Sequence, residues 1–232
     1  MGPTRALKEY HRRRDFSRTT EPEGGAAAAA PGEPPSFVVQ IHDATAMHFD
    51  FRLEVDGVLR SWAVPKGPSA DPQDKRLAMP TEDHPLEYRD FEGVIASGEY
   101  GAGTVIVWDE GTYRNLSEDR RGQEVPFAEA LDGGHASFWL EGRKLHGGYA
   151  LTRIRGDGSD REAWLLVKRA DGRARAADGG TGGGTDPRRA RSARTGRTLR
   201  QVADDAHTGR AGAAGSGNGR GHGHGHANGE AA

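Results

Sequence analysis

Residues 48–55 read His-Phe-Asp-Phe-Arg-Leu-Glu-Val, a strict alternation of polar and apolar side chains. Successive side chains of a strand point to opposite faces, so an extended chain puts Phe49, Phe51, Leu53 and Val55 on one face. His48, Asp50, Arg52 and Glu54 then share the other. The run before it repeats the pattern, with Phe37, Val39 and Ile41 on one side and Val38, Gln40 and His42 on the other. Residues 38–54 therefore predict a hairpin-like strand pair whose polar face carries two His, one Asp, one Gln and one Arg.

Short β-like runs continue along the chain. Strands are expected near 37–42, 48–55, 58–65, 75–80, 93–96, 104–109, 136–141, 148–154 and 162–168, separated by Gly-rich turn signals. Asp56-Gly57 between two alternating runs is a strong hairpin signal. Only residues 126–131 suggest a helix within this body. Many short strands and no βαβ rhythm argue for a β-barrel or sandwich and against a Rossmann or P-loop fold. Gly98–Gly103 (GEYGAG) lacks the strand–helix context of a phosphate-cradling loop and reads as a turn.

The flanks differ in kind. Residues 4–16 predict a short helix ending in the basic run Arg12-Arg13-Arg14, an arm that is either solvated or folds over a phosphate site once metal and phosphate bind. A Pro/Gly/Ala linker over 22–36 completes an N-terminal segment of 1–36. Residues 171–232 hold 10 Arg, no Lys and 6 acids, against a net charge of −2 for all 232 residues. With few large apolar residues, 170–232 is expected to be disordered. The Gly-His repeat at 221–226 offers only weak metal binding. The body is thus assigned to 37–169. No cysteine, no apolar run of membrane-spanning length and no signal-peptide core lead to the expectation of a cytoplasmic protein with no membrane partner.

His42, His48 and Asp50 supply two imidazoles and a carboxylate, a donor set suited to Mn²⁺, Fe²⁺ or Zn²⁺. Arg52 shares their parity, and a guanidinium beside a metal suits a phosphate oxyanion. Downstream, Lys66 follows Val64-Pro65, and a period of two would align Arg76, Glu82 and His84. His84 or Tyr88 could donate a proton to a leaving alkoxide. Two other classes compete. A non-haem iron oxygenase would pair His48 and Asp50 with a distal His135 or His146 and use Arg153 to clamp a cosubstrate. A non-catalytic nucleic-acid-binding β-barrel would leave the His/Asp cluster without a role. Ser-His-Asp and Cys-His hydrolysis lack a nucleophile in context.

Arg14-Asp15-Phe16 with Thr20-Glu21-Pro22, the run 37–69, the run 75–113, and then KLHGGYALTRI and AWLLVK resemble the 3′-phosphoesterase domain of bacterial DNA ligase D, from about Arg14 to Lys168. The resemblance implies a mainly all-β fold: a compact β-barrel of about eight short strands, one or two short helices and disordered tails. It implies Mn²⁺-dependent removal of 3′-terminal ribonucleosides and 3′-phosphates from DNA or RNA–DNA primer-template ends, as in DNA repair by non-homologous end joining. It places metal ligands at His42, His48 and Asp50 and phosphate contacts at Arg52, His84 and Tyr88. Essential arm residues fall on Arg14, Asp15 and Glu21, and a further essential acid on Glu82. Lys66 and Arg76 match positions that serve the phosphomonoesterase step, and Gln40 stands behind the site. With no room for a ligase or polymerase domain, a stand-alone version is expected, recruited through a separate DNA ligase or end-binding protein.

Overall fold

The alternation at 37–55 does pair as two antiparallel strands, β1 (Ser36–Asp43) and β2 (His48–Val55), with His42 opposite His48 and Gln40 opposite Asp50. In the computed structural model, residues 6–25, 32–154, 162–174 and 186–208 are described. Asp56 and Gly57, both at positive φ, turn β2 into β3 (Val58–Val64), the primed turn whose twist matches the flanking strands. The remaining strands are β4 (Lys75–Pro80), β5 (Gly93–Ile95), β6 (Gly103–Asn115), β7 (His135–Gly142), β8 (His146–Ile154) and β9 (Ala163–Lys168). Their order is β1-β2-β3-β4-β9-β8-β7-β6, and β6 returns to β1 to close an eight-stranded antiparallel barrel. β5 is a ninth strand, on the edge of β6 that the far half of β6 gives to β7. At that changeover Gly111 faces both Phe37 and Gly142, and any Cβ there would overlap the Glu141 carbonyl. β6 runs beyond the expected 104–109, because a bulge between Val39 and Gln40 lets it follow β1 along its whole length.

Both faces of the first hairpin are buried, against different partners. Phe37, Val39, Ile41, Phe49, Phe51 and Leu53 fill the barrel interior. On the outer wall, Val38, Val58, Leu59, Val105 and Val107 pack beneath Leu7 and Tyr10 of the arm and Leu86, Tyr88 and Phe91. Helix α1 (Lys8–Arg12) and the 3₁₀ turn Leu86–Asp90 thus roof the polar face of β2. Helix α2 (Phe127–Asp132) matches the expected helical stretch.

Of the two readings of the arm, solvated or folded over the site, the structure shows the folded one: Tyr10 is fully buried, and its hydroxyl donates to the Pro22 carbonyl at 2.6 Å. One expectation about the flanks needs correction. The tail is ordered over 186–208, where helix α3 (Leu199–His207) opens with a Thr198/Gln201 capping box. Ala190, Leu199 and Val202 join the interior cluster, and Arg194 bridges Asp90 and Glu110. A few apolar residues at helical spacing, with a capped start and paired arginines, suffice to dock a segment whose composition reads as disordered. The 221–226 repeat lies outside the described residues. No helix among them is long and apolar enough to cross a membrane.

Candidate active site beneath the N-terminal arm

At the turn end of the β1–β2 hairpin, His42, His48 and Asp50 offer one donor atom each, all within 4.8 Å of one another. Backbone carbonyls decide which atoms these are. His42 Nε2 lies 2.8 Å from the Gly101 carbonyl and His48 Nδ1 lies 2.8 Å from the Ala46 carbonyl. A carbonyl only accepts, so each of those nitrogens carries the proton. The lone pairs of His42 Nδ1 and His48 Nε2 are left facing Asp50, at 3.7 and 3.5 Å. Two oriented imidazoles and a carboxylate fit a divalent cation. Burial opposes charge on Asp50, but Arg52 and the two histidines outweigh it and hold the carboxyl well below its usual range. For His48 burial also opposes charge, and Asp50 outweighs it, raising the imidazole above its usual value.

Arg52 joins this trio to the rest. It donates to Asp50 Oδ2 at 2.9 Å and to Gln40 Oε1 at 2.8 Å, and its Nη1 lies 3.0 Å from His84 Nδ1. Gln40, fully buried, donates its amide to the Tyr88 and Phe91 carbonyls at 3.0 Å, which fixes the oxygen that receives Arg52. Arg52 also lies over the Tyr88 ring, 4.9 Å from its centroid.

His84 sits between two guanidiniums. Arg14 Nη2 approaches its Nε2 at 3.3 Å, and its Nδ1 also lies 2.8 Å from the Glu82 carbonyl. Protonation at Nδ1 satisfies both outer contacts, donating to Glu82 and accepting from Arg14. Burial first, then the charges of Arg52 and Arg14, hold its pKa well below the ordinary imidazole value, so it is neutral. The arm supplies the rest. Arg14 donates to Glu21 at 2.9 Å and to Glu82 at 3.0 Å and covers the Tyr10 ring. Glu21 accepts from the Tyr88 hydroxyl at 3.0 Å. Burial, then Glu21, raise Tyr88 well above the usual phenol value.

The structure therefore brings together His42, His48, Asp50, Arg52, Gln40, His84, Tyr88, Arg14, Glu21 and Glu82. Three expected residues make no hydrogen bond to this group among the described residues. Asp15 is exposed, and its carboxylate closes a turn onto Ser17 N and Oγ. Arg76 does not align with Glu82 and His84, because β4 ends at Pro80. The register Asp50–Ala63–Met79 puts Arg76 on the opposite, inward parity. It donates to Asp74 at 2.6 Å, and its buried Nε has no hydrogen-bond partner among the described residues. Lys66 is exposed beside the same Asp74, whose carboxyl is lowered by the Ser69 hydroxyl and these two cations. Both sit at the barrel end that carries His48, with Lys66 two residues past Val64, the β3 partner of Phe49. The residues an oxygenase would need do not assemble, because His135 and His146 lie on β7 and β8 while the His-x-Asp pair lies on β2, and β8 is on the far side of the ring.

Sequence reasoning missed Tyr10, Ala46 and Gly101. Tyr10 precedes Arg14 by one helical turn, a readable spacing. The Ala46 and Gly101 carbonyls belong to the backbone and leave no mark in side-chain pattern.

Residues 40–153 match the family model for the DNA ligase D 3′-phosphoesterase domain. The chain is 49% identical over 180 residues to the multifunctional non-homologous end joining protein LigD of Pseudomonas aeruginosa, covering 77% of this chain and 20% of that protein. It is 47% identical over 151 residues to the multifunctional non-homologous end joining DNA repair protein LigD of Mycobacterium tuberculosis, covering 65% and 19%. A third relative, from Mycolicibacterium smegmatis, is 39% identical over 170 residues. The chain thus spans about a fifth of the length of the curated relatives it matches. On its fold, its motifs and these matches, the barrel of this chain belongs to the DNA ligase D 3′-phosphoesterase domain family.

Proposed function

We propose that this chain is a metal-dependent phosphoesterase that processes nucleic-acid 3′ ends for non-homologous end joining, removing 3′-terminal ribonucleosides and 3′-phosphates to leave 3′-hydroxyls. The observation that carries this reading is the position of Arg52 between its two halves. Arg52 donates to Asp50 of the metal-ligating trio and touches His84 of the arm network. A phosphate at the trio therefore meets a guanidinium at once.

Mn²⁺ is the ion we assign to His42, His48 and Asp50, where it would polarise a phosphoryl oxygen. Arg52 neutralises charge that builds on the phosphoryl oxygens, its orientation preset by Gln40. Neutral His84 accepts from Arg14 and lies between Arg14 and Arg52 without adding a third positive charge. Tyr88 keeps its proton at neutral pH, and we assign it the transfer to the leaving oxygen, with Glu21 orienting its hydroxyl. Lys66 and Arg76, which flank Asp74 at the same barrel end, are assigned the dianionic 3′-phosphomonoester. Asp15 shapes the arm rather than touching substrate. Partners in the cell would be a DNA ligase and end-binding proteins.

The deciding assay uses a labelled primer-template ending in a 3′-ribonucleotide or a 3′-phosphate, with Mn²⁺ or EDTA. Metal-dependent release is expected, with His48→Ala inactive and Tyr88→Phe slowed roughly 10²- to 10⁴-fold. Activity of His48→Ala equal to the wild type would sink the metal assignment. Failure on every 3′ end by folded, metal-loaded protein would favour a binding module.

A further inference from the structure

Two large apolar side chains, Leu77 and Tyr100, are left exposed among the described residues. A single exposed apolar residue needs no explanation, but the position of Tyr100 sets it apart. It lies in the turns between β5 and β6, where Glu99 N donates to the Ala96 carbonyl and Ala102 N to that of Glu99. The next residue, Gly101, supplies the carbonyl that orients His42. On its other side Arg13 stands over the Tyr100 ring at 4.7 Å and donates to its hydroxyl, and Arg14 lies at 5.8 Å. Arg13 is itself tied to Glu82, which binds Arg14. The ring thus stands at the rim between the metal-ligating trio and the arginine network, with 48% of its surface in solvent.

An exposed aromatic face backed by a guanidinium is the chemistry on which unpaired nucleobases stack. We propose that Tyr100, supported by Arg13, is the stacking platform for the base of the nucleotide whose 3′-phosphate enters the trio. This inference rests on the 3′-end reading above and adds a subsite to it. Stacking does not distinguish bases, because each offers a π-face, so ends of any sequence are accommodated. The Arg13 contact also keeps the platform attached to the arm, so the seated arm and the bound base share one surface.

The rival role for Tyr100 is a plain fastening of the arm through Arg13. The two separate on substrates that differ only in the terminal base. Full-length protein is given a primer-template with a 3′-phosphate on an ordinary terminal nucleotide, and the same duplex with an abasic terminal nucleotide. Tyr100→Ala is expected to raise KM about 5- to 100-fold on the base-bearing end and hardly at all on the abasic end. Tyr100→Phe keeps the ring and the wild-type KM, and Tyr100→Leu, which keeps apolar packing on the arm, behaves as Tyr100→Ala. Equal losses on both ends would overturn the proposal and leave a fastening role. A terminal 2-aminopurine supplies a readout without turnover: its fluorescence is quenched on binding to the wild type and not to Tyr100→Leu. Quenching without product release would refute the phosphoesterase reading and keep the platform; turnover with neither quenching nor base discrimination would refute the platform alone.

Discussion

Arg52 shows what one residue does here. It is buried, donates to Gln40 and Asp50, lies close to His84 and covers a ring face. Removing it leaves Asp50 buried opposite two histidines and Gln40 with an unpaired oxygen. Breaking a buried pair from one side costs about 3–5 kcal/mol, so Arg52→Ala is expected to lose that much in urea melts as well as activity. A melt matching the wild type would mean that Arg52 is not part of the folded network. Gln40→Leu acts one step removed: metal binding should persist, measured by Mn²⁺ electron paramagnetic resonance, while kcat falls. The alternation already placed His48, Asp50 and Arg52 on one face, because strand parity is local. It also placed Arg76 with His84, wrongly, because parity carries no information past Pro80, where the strand ends.

At the scale of elements, the arm and the 186–208 segment act as structural parts. Tyr10 is fully buried and Leu7 nearly so, and truncating a buried aromatic costs roughly 3–5 kcal/mol. Deleting residues 1–24 is expected to abolish activity and lower Tm by about 10 °C or more, at about 2–4 °C per kcal/mol. An unchanged Tm would show that the arm is seated only by ligand. Leu199 anchors α3 in the interior cluster, so Leu199→Ala should cost roughly 2–5 kcal/mol, and chains cut after Arg169 should unfold at lower denaturant. Neither result was readable from composition. By composition the arm and the 186–208 segment look unable to order themselves, and they are ordered by surfaces the barrel provides.

For the whole molecule, the buried network sets the pH range of stability. The native pKa of His84 lies well below the unfolded value of about 6.5. Between those values the unfolded chain binds a proton that the folded chain does not, so stability falls as pH drops below about 6.5. Asp50 adds a loss at lower pH, because its depressed carboxyl stabilises the fold above about 3.9 and ceases to as pH falls through the native value. Urea melts between pH 5 and 7.5 should show this decline in the wild type and a flatter profile in His84→Gln. An identical slope in both would assign the pH dependence to other groups.

What the sequence determined by itself was local. Strand parity gave the apolar interior face and the shared His–Asp–Arg face, Asp56-Gly57 gave the hairpin, and the motif run gave the family. Tertiary structure alone decided that the polar face would be roofed by the arm, that Glu21 and Glu82 would both reach Arg14, and that the Ala46 and Gly101 carbonyls would leave His48 Nε2 and His42 Nδ1 facing Asp50. It also decided that Asp15 would close a turn onto Ser17 and that Arg76 would pair with Asp74. The reason is physical: periodicity records which side of its own strand a residue takes, whereas these contacts join segments tens of residues apart through a closed barrel and a docked arm.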